Sequence, residues 1–235
     1  MEKLLCIIPA RGGSKRIPHK NIALFKGRPI ISYPINTVKE SNLTDEIIVS
    51  TDSPEIASVA ESFGAKVPFL RSADTANDHA GVADVLIEVI EEYKKRGREF
   101  EYVLCVFATN PLMKCENLVS AFKQLQENPV AESISTFESY SYPPQRGLII
   151  EGGEMKMAHP EFYECRSQDL PKMYHDSCQF YFFRTYALLR DRKMYTQHTL
   201  PFILSSAESQ DIDTQEDWLL TEMKYDFINK PRITS

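Results

Sequence analysis

From residue 4 to residue 107 the chain alternates strand-sized apolar runs with longer amphipathic stretches, a rhythm that few architectures absorb. Residues 4–8, 46–51, 66–70 and 102–107 are the apolar runs. Between them, residues 30–38 read as a helix opened at Pro29 and interrupted or kinked at Pro34, and residues 53–63 as one that starts at Ser53-Pro54 and stops at Gly64. Residues 82–96 carry Val82, Val85, Leu86, Val89, Ile90 and Tyr93 on one helical face and end at Gly97. This β-α-β-α-β order implies an α/β fold whose largely parallel sheet is covered by helices on both faces. Such sheets bind ligands beyond the carboxyl ends of their strands, here residues 11–21, Thr51-Asp52, Arg71 and Ala108-Thr109-Asn110-Pro111.

The first of these ends is the most distinctive. Ala10-Arg11-Gly12-Gly13-Ser14-Lys15-Arg16, followed by Lys20-Asn21, sets two adjacent glycines among cationic side chains. Gly12 and Gly13 tolerate positive φ, so consecutive backbone N–H groups can converge on an anion while Arg11, Lys15, Arg16 and Lys20 supply charge. A solvated turn is the plain alternative. The chain as a whole is acidic, with a formal net charge of −6, and cations gathered on one loop of an acidic protein point to an anionic ligand. The loop reads as a polyphosphate cradle. It is not a P-loop, because Ser14 separates Gly13 from Lys15, and no G-x-G-x-x-G follows the first strand.

At 235 residues, 43% hydrophobic and 26% charged, the chain has the size and composition of a globular protein and reads as a single domain. Its apolar stretches fall short of a membrane span and its start lacks a signal-peptide pattern, so a cytoplasmic protein with no membrane partner is expected. The acidic balance, without a basic-aromatic stripe, disfavours nucleic acid and favours a free nucleotide. Cys6, Cys105, Cys115, Cys165 and Cys178 form no C-x-x-C pair, which indicates neither a disulfide framework nor a zinc site.

Residues 139–178 change character. They are rich in Tyr and Pro and contain a hairpin, residues 148–151 and 154–157 turning at Gly152-Gly153, that reads as an inserted arm for oligomerisation or for packing on its own domain. Residues 179–183 then return the chain to the sheet. Near the end, Asp211 and Asp213 stand two apart, so both carboxylates face one side of an extended backbone, as Mg²⁺ bound beside a phosphate requires. Thr214 and Asp217 have capping-box spacing for a helix beginning near Trp218, which accounts for those two residues but not for Asp211.

Together these motifs resemble the cytidylyltransferases that activate nine-carbon sialic-acid-like sugars. The resemblance covers essentially the whole chain: residues 8–22 match the family's I-P-A-R-G-G-S-K-x-I-P-x-K-N-I, Arg71 matches an arginine after the third strand, and residues 210–213 match its Q-D-I-D. Residues 142–146, 166–170 and 174–181 are closer to the pseudaminic acid members than to the N-acetylneuraminate ones, while Phe107, Ala108 and Met113 depart from the patterns at the fourth strand. The resemblance implies a three-layer Rossmann-like nucleotidyltransferase fold, a mixed but largely parallel sheet, a hairpin dimerisation arm and a homodimer. It also implies that CTP and a nine-carbon 2-keto sugar acid give the CMP-sugar and pyrophosphate. On this reading Ala10 to Arg16, Lys20, Asn21, Arg71 and Thr109 bind the nucleotide, with Arg11, Lys20 and Asp211 catalytic and Asp211 and Asp213 on Mg²⁺. Gln145, Arg146, Gln168, Tyr174, His175, Asp176, Gln179 and Tyr181 line the sugar side. N-acetylneuraminate, legionaminate or deoxyoctulosonate activation, and a non-catalytic nucleotide-binding module, are the alternatives.

Overall fold

A computed structural model of the chain describes residues 2–14, 16–76 and 80–230. In chain order the strands and helices are β1 (Glu2–Pro9), β2 (Leu24–Phe25), β3 (Arg28–Pro29), α1 (Ser32–Ser41), β4 (Glu46–Ser50), α2 (Pro54–Ser62), α3 (Ala73–Ala76), α4 (Val82–Lys95) and β5 (Phe100–Val106). They continue with α5 (Cys115–Glu127), β6 (Ser133–Ser139), β7 (Leu148–Glu151), β8 (Glu154–Met157), β9 (Tyr174–Arg184), α6 (Thr185–Asp191), β10 (Thr199–Ile203) and α7 (Gln215–Asn229).

The central sheet has six strands in the order β10-β6-β9-β5-β1-β4. Pairing is parallel for β1 with β4 and β5 and for β10 with β6, and antiparallel only where β9 meets β5 and β6. This is the largely parallel mixed sheet expected. Alternation along the strands splits the core. Leu4, Cys6 and Ile8 face α1, α2 and α5, whereas Leu5 and Ile7 face α4 and α6. With helices on both faces, the central strands are buried throughout, which is why β1 reads as one continuous apolar run.

Several local expectations change. Pro34 does not kink a helix, because α1 starts at Ser32 and the proline sits in its first turn, where a missing N–H breaks no bond. The residues before it fold back as the small β2–β3 ribbon. Residues 66–70 make no strand beyond one bridge from Lys66 to Ile48, since Pro68 has no N–H to donate. The hairpin forms, with Gly152 and Gly153 at φ of 62° and 84°, but β9 begins at Tyr174, so the last residues assigned to the arm belong to the sheet.

A third, smaller cluster lies outside the two main layers and fixes the site. Ile17 of the cationic loop and Ile212, between the two late aspartates, are both buried with Phe25, Ile30, Tyr33 and Trp218. Phe25 is ringed edge-on by Tyr33, Trp218 and Tyr225 at 5.4–5.6 Å. Residues almost two hundred positions apart are thereby buried in one cluster. Truncating Ile212 to alanine should cost about 2–4 kcal/mol of stability in urea unfolding; a loss below about 1 kcal/mol would show that this cluster does not hold the ends together.

Candidate active site

The carboxyl ends of β1, β4 and β5 open into a cleft of about 460 Å³, a size that suits a nucleotide. Arg11, Ser14, Arg16, Lys20 and Asn21 form one wall, Arg71 and Thr75 another, and Phe107, Ala108 and Thr109 the floor beside Val82 and Val85 of α4. Asp213 closes the rim. Lys15 lies outside the described residues.

The glycine loop is held by β4 and its following turn. Ala10 donates its N–H to the Ser50 carbonyl at 2.9 Å, and Gly12 donates its N–H to Asp52 Oδ1 at 2.8 Å. Neither glycine takes the positive φ open to it. What position 12 needs is space, since a Cβ there would sit 3.2 Å from Ser53 Cβ, whereas one on Gly13 would meet nothing within 4 Å. Asn21 is buried, and its side-chain amide donates to the Arg11 carbonyl at 2.9 Å, bracing the loop from within the cleft wall.

Arg71 is also buried. Its Nη2 and Nε donate to the Ser50 carbonyl and hydroxyl at 2.6 and 3.1 Å. Burial lowers its pKa, and the carboxylates of Asp52 and Glu88 pull it back up. Glu88, on α4, accepts the Ser72 N–H at 2.9 Å and the Thr75 hydroxyl, and so fixes the segment that carries Arg71. Sequence reasoning passed over Glu88 and gave Asp52 no role. Asp52 was legible as a carboxylate at a strand end, but the contact of Glu88 depends on how α4 packs.

Asp213 meets the cationic loop directly, its Oδ1 standing 2.8 Å from Arg16 Nη2 and 3.7 Å from Lys20 Nζ. Lys20 also donates to the Ile212 carbonyl at 2.6 Å. Thr214 and Asp217 form the expected capping box at the start of α7. Asp213 lines the cleft, whereas Asp211, two residues earlier, does not. Partial desolvation and the neighbouring Asp213 raise the pKa of Asp211. Among the described residues, no three His, Cys, Asp or Glu side chains gather as a metal cage.

None of the sugar-side candidates lines this cleft. Gln168 borders a separate groove with Tyr140, Pro143 and Pro144, while Gln145 donates to the Pro171 carbonyl at 3.0 Å and Arg146 to Ser167 Oγ at 3.3 Å. Tyr174 is exposed, and His175 packs on the Tyr140 ring with its Nδ1 2.9 Å from the Asp176 carbonyl. Gln179 and Tyr181 are 1% and 2% exposed, because β9 is an inner strand, so as folded they are core residues rather than ligand contacts. Cys178 has its thiol pushed up to about 12 by burial and by the Asp176 and Asp211 carboxylates, which disfavours a thiolate there near neutral pH.

The cleft can neutralise a chain of phosphates on one side and offer hard carboxylate oxygen on the other. Gly12→Ala should lower nucleoside triphosphate affinity roughly tenfold in calorimetric titration, with Gly13→Ala within about twofold of wild type. Equal effects would contradict the packing role of position 12.

A sequence profile of the family described as Cytidylyltransferase matches residues 5–224. Among similar proteins, a pseudaminic acid cytidylyltransferase from Campylobacter jejuni subsp. jejuni is 38% identical over 224 residues, covering 95% of this chain and 96% of that one. A CMP-N,N'-diacetyllegionaminic acid synthase from Legionella pneumophila subsp. pneumophila is 33% identical, covering 94% and 95% of the two chains. Among solved structures, a CMP:2-keto-3-deoxy-manno-octonic acid synthetase complexed with CTP superposes with a TM-score of 0.70 at 17% identity, covering 96% of this chain and 98% of that one, which supports the fold. With the profile spanning most of its length and the glycine-bearing cationic loop inside the match, the chain belongs to the cytidylyltransferase family.

Proposed function

We propose that the protein transfers the cytidylyl group of CTP to the anomeric hydroxyl of a nine-carbon 2-keto sugar acid, pseudaminic acid in the first instance, with release of pyrophosphate. The observation that carries this reading is the meeting of Arg16 and Lys20 with Asp213 across one cleft at the carboxyl edge of the sheet. The 38% identity to a pseudaminic acid cytidylyltransferase, against 33% to a legionaminic acid synthase, favours pseudaminate.

In the reaction a bond forms between the anomeric oxygen and the α-phosphorus as the bond from that phosphorus to the departing pyrophosphate oxygen breaks, and the hydroxyl proton passes to solvent water. Little covalent chemistry falls to the protein, so placement and charge neutralisation dominate. Arg11, Lys20 and the amides of residues 12–14 hold the triphosphate, assisted by Arg16 and, on sequence grounds, Lys15. Arg71, Asn21 and Thr109 serve the nucleoside end. Asp211 and Asp213 offer the donor set Mg²⁺ prefers, one or two carboxylates completed by phosphate oxygens and water. Mg²⁺ would offset charge on the bridging and leaving oxygens.

The arm fits a homodimer that completes the sugar site. Leu148, Ile149, Ile150 and Met155 of the hairpin are exposed, as are Tyr140, Tyr142 and Tyr174. A two-stranded hairpin standing apart from the main sheet is marginal alone, and so large an apolar patch invites a second copy. Gln145 Oε1 and Arg146 Nε are enclosed without hydrogen-bond partners among the described residues. A sugar acid carboxylate delivered by a partner's cleft would satisfy Arg146. No helix among the described residues is long and apolar enough to cross a membrane.

Pyrophosphate release from CTP and Mg²⁺ should be fastest with pseudaminate in a panel including N-acetylneuraminate, legionaminate and deoxyoctulosonate. Equal release with every acid removes the specificity assignment, and none with any acid removes the reaction. Arg11→Ala and Asp211→Ala should each lower kcat by about 10²–10³ with an unchanged melting temperature. Wild-type rate and Mg²⁺ dependence in Asp211→Ala would refute the metal assignment.

A further inference from the structure

Strand β9 enters the sheet through a kink. Its ladder with β6 slips register between Ser135 and Phe137, and Cys178 at the slip has a φ of 52°, a left-handed conformation that residues with a Cβ seldom take. One side chain holds this shape. Asp176 Oδ1 accepts the Cys178 N–H at 2.8 Å and the Tyr181 hydroxyl at 2.5 Å, while its Oδ2 accepts the Tyr195 hydroxyl at 2.5 Å. The first of these closes an Asx-type turn, and all three donors spend the carboxylate on its own fold.

Two parts of the active cleft hang on the same kink. On one side the Cys178 carbonyl accepts the Asn110 side-chain amide at 2.8 Å, and the Gln179 carbonyl accepts the Phe107 N–H at 3.3 Å. Phe107 and Thr109 line the cleft. On the other side Gln179 Nε2 donates to the Glu208 carbonyl at 2.8 Å, and Glu208 is itself fixed by Lys114 and Ser205, each at 2.6 Å. Glu208 leads directly into the segment bearing Asp211 and Asp213.

We infer that Asp176 is a positioning residue rather than a sugar contact: by locking the left-handed kink at Cys178 it sets the floor of the nucleotide cleft and the acidic segment in register with each other. Only the turnover part of the test rests on the proposed reaction. CTP affinity, read by calorimetry without any sugar acid, does not.

Asp176→Ala should weaken CTP binding by about tenfold and lower kcat similarly, with the KM for the sugar acid within about twofold of wild type. Tyr195→Phe should shift CTP affinity the same way by about threefold. Cys178→Gly added to Asp176→Ala should recover most of the loss, because glycine takes positive φ unaided. A raised sugar-acid KM with unchanged CTP affinity would overturn the inference and restore a direct sugar contact. So would a lowered melting temperature with unchanged CTP affinity in the folded variant, or failure of the glycine rescue. If Asp176→Ala does not fold, Tyr195→Phe decides, and unchanged CTP affinity there overturns the assignment. Should wild type bind CTP yet release pyrophosphate with no acid, the proposed reaction fails while these titrations still judge Asp176.

Discussion

The small apolar cluster that buries Ile17 and Ile212 together with Phe25, Ile30, Tyr33 and Trp218 is what the site depends on. Each isoleucine contributes about 1.5–3 kcal/mol by leaving water, whereas the Arg16–Asp213 pair, with side chains 66% and 40% exposed, is worth about 0–1 kcal/mol. The apolar cluster therefore sets the distance between the cationic loop and the late aspartates. The ion pair rides on it. This division suits a binding site, because charges held in place by neighbouring packing remain free to exchange partners when a ligand arrives.

Such exchange is built into the cleft. Asp213 sits on Arg16 and near Lys20, and Asp52 accepts the Gly12 amide, so protein carboxylates stand at donors a polyphosphate would use. Arg71 is different. Its guanidinium is buried and tied to Ser50, a fixed cation in the wall rather than a mobile one at the rim. A site with both kinds can draw a polyanion in with exposed charge and orient it against the buried one, the preorganisation that charge-stabilising catalysis exploits.

Much of this was legible in the sequence because the signals were local. The β-α-β rhythm, the loop from Ala10 to Asn21, the Thr214–Asp217 cap and the Gly152-Gly153 turn each depend on neighbours in the chain. Strand β6 was not legible: Ser133, Ser135 and Thr136 are buried in the sheet, where the Ser133 and Thr136 hydroxyls find partners in Thr196, Thr199 and Phe180. Hydropathy alone sends such residues to the surface. Helix α5 is a simpler case, since Leu118, Ala121, Phe122 and Leu125 carry a helical period that is visible in the sequence. Gln179 and Tyr181 misled for a third reason. Polar types in a promising motif suggest ligand contacts, yet an inner antiparallel strand buries both, and their bonds go to Glu208 and Asp176.

The measurement that bears most directly on this account is a crystal structure with CTP and Mn²⁺ in place of Mg²⁺, the ion located by its anomalous signal. The account predicts a peak between the Asp211 and Asp213 carboxylates and the phosphates, with the triphosphate lying over residues 10–16 and the base toward Arg71. An ion bound away from both aspartates, or a triphosphate lodged off the glycine loop, would contradict it.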